Sequence, residues 1–310
     1  LISSLPHIVT GPAVSLKISV YVPCYNAERT IAPCIASLIA QRRKPDEILV
    51  VDDGSTDRSL DIAKRFPGIK IVQHTLNKGL ATARNSGIRF SKGDLVASID
   101  SDCAADPLWL EILAAEMERD PQLSGVAGAV NEAERGTIPD RWRTYHMRQH
   151  YGRNVVTNPR FLFGANTVFR REALQATGPY PTSLRTNGED FEICTRMYAK
   201  VPDAKLLYQP KAFVHHLRRD NFRSIANTFW RYQTYMSWVR PEPRKIRRTI
   251  RQTWTLLKQI WSRNLVWDLR QKRWEGLLIA LYFTAVLPWL QFKQQMKNRK
   301  EHSQALSKPE

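Results

Sequence analysis

The chain has 310 residues, of which 43% are hydrophobic and 25% charged, and its net charge is +18 at pH 7. This length suits one large α/β domain with an appendage, or two domains, and the composition excludes a low-complexity or collagen-like chain. The four cysteines are scattered and form no Cys-x-x-Cys pair, which argues against a zinc site or a disulfide framework and favours reduced thiols in the cytoplasm.

Residues 1–16 lack the basic start and long apolar run of a signal peptide and are predicted to be an N-terminal extension. From residue 17, β-rich apolar runs alternate with segments whose apolar residues recur at helical spacing. The predicted strands are 17–22, 47–51, 69–73 and 94–99, and the predicted helices between them are 29–41, 57–66 and 80–90. This alternation predicts an α/β fold with a doubly wound, mostly parallel sheet, in which ligands bind outside the carboxyl ends of the strands.

The pattern changes beyond residue 120. Strands are predicted at 124–130, 161–169 and 211–214, and helices at 171–177 and 189–199. From residue 222 the chain is predicted to be helical, and this part is basic and rich in tryptophan. Pro241 and Pro243 indicate a domain boundary there.

The C-terminal half combines many basic residues with one uncharged segment. Residues 136–310 carry a net charge of +20, whereas residues 1–135 carry −2. The 17 residues from 276 to 292 contain no charge, which is the lower limit for crossing a bilayer, and Pro288 interrupts them. We expect a basic helix pair lying on an anionic membrane leaflet, with Trp274, Tyr282 and Trp289 at the interface. A helix that packs on the protein's own core, or on a second copy in a homodimer, also fits.

Asp100-Ser101-Asp102 follows the predicted strand 94–99. A sugar nucleotide loses a diphosphate when its glycosidic bond breaks, and a divalent cation can neutralise that charge. Such a cation needs one or two carboxylates beside the phosphate oxygens, and Asp100 and Asp102 could supply them. An acidic turn without a metal also fits this short motif.

Two further motifs indicate a nucleotide. Asp52-Asp53-Gly54-Ser55 follows the second strand, where a carboxylate can accept hydrogen bonds from a base or ribose and Gly54 allows a tight turn. Asn77-Lys78-Gly79-Leu80 begins a helix that carries Arg84, and a helix N-terminus near basic side chains suits a phosphate. Each motif also fits an ordinary capped helix.

Two later motifs could complete a catalytic site. Gly188-Glu189-Asp190 begins a helix, and a carboxylate there could be the general base that takes the proton of an acceptor hydroxyl. First-turn acids that complement the helix dipole are the alternative. His215-His216 follows the predicted strand 211–214, and one imidazole, assigned here to His215, could be a further metal or phosphate ligand. A structural histidine pair also fits.

Taken in order, these motifs resemble those of the large family 2 of inverting glycosyltransferases, which have the GT-A fold. The matching strings are 22–28, 51–57, 77–85, 100–102, 163–166 and 188–190, over roughly residues 17–220. The resemblance implies a GT-A domain, placed at 17–235, and the composition of the remaining residues, 236–310, predicts a basic, tryptophan-rich, membrane-associating helical tail. The chain has no Gln-x-x-Arg-Trp string and no set of clear membrane spans, which departs from the processive synthases of the family and favours the addition of a single sugar.

The resemblance also implies roles for the matched positions. A UDP-sugar donor would be bound by Pro23, Tyr25, Glu28, Asp53, Lys78, Arg84, Asp100 and Ser101. Mg²⁺ or Mn²⁺ would be bound by Asp102, with Asp100 beside it. The general base would be Asp190, with Glu189 as its neighbour. The sugar and acceptor side would be lined by Phe163, Gly164, Ala165 and Asn166.

The sequence therefore predicts an inverting glycosyltransferase of the hexosyltransferase type, acting in cell-surface polysaccharide or glycolipid synthesis. Its acceptor would be a saccharide or a lipid-linked saccharide, and the protein would be peripheral on the cytoplasmic face of a membrane. One alternative is a nucleotidyltransferase, although no Gly-rich, Lys-bearing phosphate loop follows the first strand. The other is a nucleic-acid-binding protein that uses the basic, aromatic C-terminal part. Nucleic acid is not the expected partner, because the acidic motifs would then have no purpose.

Overall fold

The computed structural model describes residues 16–133, 135–234 and 246–306, with side chains described at 16–133, 135–233 and 250–296. The predicted N-terminal extension lies outside the described residues except for Leu16. The predicted boundary at residue 235 and the prolines at 241 and 243 also lie outside them.

The strands in the described part follow the chain in two sheets. They are β1 (Ile18–Cys24), β2 (Glu47–Asp52), β3 (Ile69–Gln73), β4 (Leu95–Ile99), β5 (Cys103–Ala105), β6 (Leu123–Ala127), β7 (Val130–Glu132), β8 (Val156–Thr157), β9 (Asn166–Arg170), β10 (Lys205–Tyr208) and β11 (Val214–His216). The large sheet has the order β3-β2-β1-β4-β9-β6-β10-β8, and the small one β5-β11-β7.

The helices are α1 (Ile31–Ile39), α2 (Ser59–Ala63), α3 (Leu80–Phe90), α4 (Trp109–Arg119), α5 (Ile138–His146), α6 (Arg171–Thr177), α7 (Glu189–Lys200) and α8 (Phe222–Thr234). Beyond residue 245 follow α9 (Ile246–Gln259), a π-helical segment (Ile260–Leu265), α10 (Val266–Arg270) and α11 (Gly276–Leu306).

The large sheet is mostly parallel and is covered on both faces. Strands β1 to β4 pair in parallel, as do β6 and β10, while β9 runs antiparallel between β4 and β6. Every residue of β1 is buried, as expected for a strand between two layers of helices. One apolar core joins this sheet to α1 and α4, and a second joins it to α3, α6 and α7. The predicted doubly wound α/β fold is confirmed.

Some predicted elements are wrong in their bounds. The predicted strand 161–169 is extended only from Asn166, because the preceding residues turn, with the Asn166 N–H donating to the Phe163 carbonyl over 3.0 Å. The predicted strand 124–130 is divided into β6 and β7, which belong to different sheets. The predicted strand 211–214 begins only at Val214. Helices α4 and α5 and strand β10 were not predicted.

The C-terminal helices pack on the rest of the protein through a third apolar core. It joins Trp142 of α5 and Phe229 of α8 to Ile260 of the π-helical segment and Phe283 of α11. Residues 276–296 of α11 have the length and hydropathy of a membrane-spanning helix. However, its Ile279, Ala280, Phe283 and Leu287 side chains are buried in this core. The opposite side of α11 exposes Leu277, Leu278, Leu281, Trp289, Phe292 and Met296.

Candidate active site

The carboxyl ends of β1, β2 and β4 surround a cavity of 420 Å³, here called the donor cavity because several residues that the sequence predicts to bind the donor line it. It is lined by residues from all three strand ends, including Pro23, Tyr25, Asp53, Ser101 and Asp102. Because parallel strands end at the same edge of the sheet, motifs far apart in sequence meet here, as the sequence predicted.

The Asp53 carboxylate fixes the loop before α3. It accepts hydrogen bonds from the Lys78 N–H at 3.0 Å and the Gly79 N–H at 2.7 Å, and its Oδ1 lies 2.6 Å from Nδ1 of His74. These contacts hold the amino end of α3 against the donor cavity. The Lys78 side chain is exposed and does not line the cavity. Glu28 also lies outside the lining, and pairs with Arg58 at 3.5 Å.

At the end of β4, the Asp102 carboxylate faces an imidazole. Asp102 Oδ2 lies 3.2 Å from Nε2 of His216, and Nδ1 of His216 lies 2.9 Å from Oε2 of Glu132. Burial favours the neutral ring, but the Asp102 and Glu132 carboxylates outweigh it and raise the pKa of His216 to about 10. The same imidazolium lowers the pKa of Asp102 despite its burial.

The structure therefore brings His216, and not His215, next to Asp102. The two histidines lie on β11, where successive side chains point to opposite faces. His216 is buried at the cavity, whereas His215 is exposed and contacts the Phe213 ring. The sequence predicts the ligand role for His215, but the structure places His216 there instead, because the bounds of β11 decide which of the two side chains faces the cavity.

Among the described residues no group of three His, Cys, Asp or Glu side chains could hold a metal, so Asp102 and a neutral His216 could supply only two ligands, with diphosphate oxygens needed for the rest. A histidine that binds metal through one ring nitrogen commonly donates its other N–H to a carboxylate, and Glu132 occupies that position relative to Nδ1. Carboxylate oxygens suit Mg²⁺ and Mn²⁺, and Asp102 also faces the donor cavity.

The Arg84 guanidinium joins the two halves of the site. Its side chain is only 1% exposed. It donates from Nη2 to Asp100 Oδ1 at 2.8 Å, from Nε to Glu189 Oε1 at 3.3 Å and from Nη1 to the Gly164 carbonyl at 3.0 Å. The resemblance placed Arg84 beside the nucleotide, but the structure uses its donors to hold Asp100, Glu189 and Gly164 together.

The Asp190 carboxylate lies at the amino end of α7. Its Oδ1 accepts from the Phe191 N–H at 2.8 Å, and its Oδ2 accepts from the Gly164 N–H at 3.4 Å. Burial raises the pKa of Asp190, and burial together with Asp190 raises the pKa of the neighbouring Glu189 to about 7. A carboxylate with a raised pKa that faces a cavity is a candidate for proton transfer.

Asp190 lines a second cavity of 470 Å³, here called the acceptor cavity because residues that the sequence predicts for the acceptor side line it. Phe163, Gly164 and Ala165 line it as well, and the Phe163 ring packs against Tyr151 and Phe161. Asn166 does not line it, because its amide is fully buried and bonds to the Trp109 indole and to the Ala129 and Ala212 carbonyls.

The donor and acceptor cavities meet. Their common wall is formed by Leu80, Asp100, Gln149, Ala165, Thr186 and Tyr232. A carboxylate on the donor side, Asp102, and one on the acceptor side, Asp190, therefore face adjoining spaces.

The donor cavity has basic residues that sequence reasoning missed, namely Arg185, Arg218 and Arg231. Arg231 is on α8, and its Nε is buried without a hydrogen-bond partner among the described residues. The sequence signal was the excess of bases from residue 136 onwards, which was interpreted as a membrane surface or, in the alternative, a nucleic-acid-binding surface, and not as part of the donor site. No motif distinguished these arginines from the others.

Comparison of the sequence with protein families identifies the class of enzyme to which this site belongs. Residues 19–178 match the model of glycosyl transferase family 2. The chain belongs to glycosyl transferase family 2. It is thus a glycosyltransferase, which excludes the nucleotidyltransferase alternative and confirms the predicted enzyme class.

Curated relatives agree with this assignment. The chain is 27% identical over 218 residues to a glucosyl-dolichyl phosphate glucuronosyltransferase of Haloferax volcanii, covering 65% of this chain and 69% of the relative. It is 24% identical over 203 residues to the poly-β-1,6-N-acetyl-D-glucosamine synthase of Staphylococcus epidermidis, covering 63% of this chain but only 48% of the relative.

Solved structures share the fold. The S. aureus TarS 1–349 structure aligns with a TM-score of 0.54 and 21% identity, covering 70% of this chain and 65% of that one. The structure of GalNAc-T7 with UDP, GalNAc and Mn²⁺ aligns with a TM-score of 0.54 and 21% identity, covering 66% and 44%. The predicted GT-A architecture is confirmed.

Proposed function

We propose that this protein transfers a single sugar, with inversion, from a nucleoside diphosphate sugar to a hydroxyl of a saccharide or lipid-linked acceptor. The donor is a UDP-sugar. The proposal rests above all on one observation: the cavity that holds Asp102 and the cavity that holds Asp190 share a wall that includes Asp100. A donor and an acceptor bound in these cavities would meet there.

Asp190 is the general base of this reaction. Its carboxylate takes the proton of the acceptor hydroxyl, and the acceptor oxygen forms a bond to the anomeric carbon. The bond from that carbon to the diphosphate breaks on the opposite side, so configuration inverts and the nucleoside diphosphate leaves with the electron pair. A raised pKa makes Asp190 a better proton acceptor than an ordinary aspartate.

Asp102 and His216 would hold a divalent cation, with Asp100 nearby. Bound there, Mg²⁺ or Mn²⁺ would supply positive charge to the leaving diphosphate. The presence of Mn²⁺ with UDP in the GalNAc-T7 structure supports this assignment, as does the Glu132 contact that orients His216.

Arg218 and Arg231 extend that positive charge. Arg218 follows the end of β11, Arg231 is on α8, and both line the donor cavity together with His216. The Thr228 hydroxyl accepts from Arg218 Nη2 at 2.8 Å, which positions the guanidinium. We assign these two arginines to the donor diphosphate, since guanidinium groups bind phosphate oxygens well.

The acceptor is presented at an anionic membrane surface. Helix α11 exposes a row of large apolar side chains opposite its buried side, and α9 and α10 carry Arg251, Lys258 and Arg270 nearby in sequence. A helix with one face in a protein core is suited to lie in the membrane interface and not to cross it. The protein is accordingly peripheral, and its four free cysteines suit the reducing, cytoplasmic side of the membrane.

A thermal-shift screen of UDP-, GDP- and dTDP-sugars, each with and without Mn²⁺, tests the proposal. We expect UDP-sugars with Mn²⁺ to raise the melting temperature, because a ligand at 100 times its Kd stabilises by about 2.7 kcal/mol. Stabilisation by no nucleotide sugar would refute the donor assignment.

A further inference from the structure

A third cavity of 700 Å³ lies between the end of α5 and the segment formed by the π-helix and α10. It is here called the basic cleft. His146 and Arg148 line both the basic cleft and the acceptor cavity, so the two spaces adjoin. The reaction proposed above assigns nothing to this cleft.

The arginine side chains that line the basic cleft make it positively charged. Arg148, Arg263 and Arg270 line it, and none of the described residues in its lining is Asp or Glu. The three arginines are exposed, and none forms an ion pair within the described part of the chain. The acid nearest in sequence, Asp268, is buried and pairs with His146 at 2.9 Å. The cleft therefore attracts an anion.

Asn264 gives a second, independent indication of a ligand. Its side chain is 6% exposed and lines the basic cleft. It has no hydrogen-bond partner among the residues that the structure describes. Most of the residue is thus covered by protein, while its amide faces the cleft with its hydrogen-bonding capacity unused by the described residues, so it is available to a ligand there. Asn264 lies in the π-helical segment, a type of distortion that is common at functional sites.

An aromatic wall completes the cleft. Tyr145 and Trp267 line it, and their rings lie 5.5 Å apart between centroids. The Arg273 guanidinium lies 3.3 Å from the centre of the Tyr145 ring, which adds positive charge behind this wall. After Arg273 the chain enters α11, whose exposed apolar row begins at Leu277.

We infer that the basic cleft binds the phosphate group of a phosphate-bearing, lipid-linked acceptor. This inference rests on the proposed function, because it takes the acceptor cavity as the place where the acceptor sugar binds. The sugar would enter the acceptor cavity, the phosphate would bind Arg148, Arg263 and Arg270, and the lipid would leave along α11. Guanidinium donors and the Asn264 amide suit phosphate oxygens.

Binding of farnesyl phosphate to the full-length protein, measured by calorimetry, tests the inference. The cleft variant is Arg263→Gln with Arg270→Gln. The matched control, Arg65→Gln with Arg89→Gln, removes the same charge from exposed positions outside the cleft lining and outside the C-terminal helices. We expect the cleft variant to bind farnesyl phosphate more weakly by on the order of tenfold or more, and the control to stay within about twofold of wild type. Farnesol should not compete.

Asn264→Leu separates binding from folding. The substitution replaces an amide that no described residue hydrogen-bonds by an apolar group of similar size, so stability should change little, whereas farnesyl phosphate binding should fall. A large loss of stability with unchanged binding would show that Asn264 is structural and would count against the inference.

Two results would overturn the inference. The first is no binding of farnesyl phosphate by wild type. The second is an equal loss of binding in the cleft and control variants, accompanied by an equal loss of binding to phosphatidylglycerol vesicles, which would indicate general attraction to lipid headgroups. UDP with Mn²⁺, titrated into the same samples, reports the donor site separately. If UDP with Mn²⁺ did not bind while farnesyl phosphate did, the proposed function would be refuted and the anion site in the basic cleft would stand.

Discussion

Arg84 donates a hydrogen bond of 2.8 Å to Asp100 from a guanidinium that is almost completely buried. The same group contacts Glu189 and the Gly164 carbonyl. One side chain thus links the end of β4, the turn before β9 and the amino end of α7. These are the three segments that carry the proposed metal, acceptor and base positions.

Replacing Arg84 by methionine should destabilise the protein. Asp100 and Glu189 would lose their buried partner, and breaking a buried ion pair from one side costs roughly 3–5 kcal/mol. Urea unfolding measures the change, with Lys78→Met as a control on an exposed base in the same motif. A midpoint equal to that of the control would show that Arg84 does not hold the site together.

Glu189 predicts a pH dependence of stability. Burial first, and then Asp190, raise the pKa of Glu189 to about 7 in the folded protein, above its ordinary value of 4.5. A raised pKa means that the folded state binds the proton more tightly. The contribution of Glu189 to stability is therefore fully present below pH 4.5 and is lost as the pH rises through 7.

Glu189→Gln should remove this part of the pH dependence. Wild type should lose stability relative to the variant between pH 5 and pH 8, by at most about 1.4 kcal/mol per pH unit. Urea unfolding at several pH values gives the comparison. Parallel curves for the two proteins would contradict the raised pKa.

The two histidines of β11 provide a matched test of the metal site. His216→Asn and Asp102→Asn should each remove the Mn²⁺-dependent part of the thermal stabilisation by UDP, because these side chains face the donor cavity. His215→Asn should keep it, because His215 points to the other side of the strand. If His215→Asn had the larger effect, the assignment of His216 would be wrong.

The exposed side of α11 should bind membranes. Leu278→Ser with Leu281→Ser removes two exposed apolar side chains without touching the buried row of the helix. We expect weaker sedimentation with phosphatidylglycerol vesicles, since each buried methylene contributes about 0.8 kcal/mol. Leu108→Ser with Val155→Ser changes exposed apolar residues outside this helix and serves as the control. Equal binding by both variants would exclude α11 as the contact.

Local patterns in the sequence predicted several elements of the α/β domain with their bounds. The strand at 69–73 and the helices at 80–90 and 171–177 have the predicted bounds, because each has a clear apolar period and a clear stop. The strand prediction failed at residues 161–165, because an apolar, aromatic segment can form either a turn that lines a cavity or a strand. Nothing local distinguishes the two.

The candidate site was predicted as a set of positions but not as a set of contacts. Asp53, Asp102 and Asp190 lie at the cavities because strand and helix ends position them. Arg84 and Asn166 were assigned to ligands, yet their partners are protein groups more than ten residues away in sequence. Such long-range pairs, and the face of β11 that holds His216, depend on tertiary packing.

The general base is the central claim, and Asp190→Asn tests it most directly. The variant keeps the shape of the side chain but cannot accept a proton, so transfer from the stabilising donor should fall by roughly 10²–10⁴-fold while the donor Kd stays near that of wild type. Glu192→Gln, on the same helical turn, should transfer at close to the wild-type rate. Near-native transfer by Asp190→Asn would contradict the account.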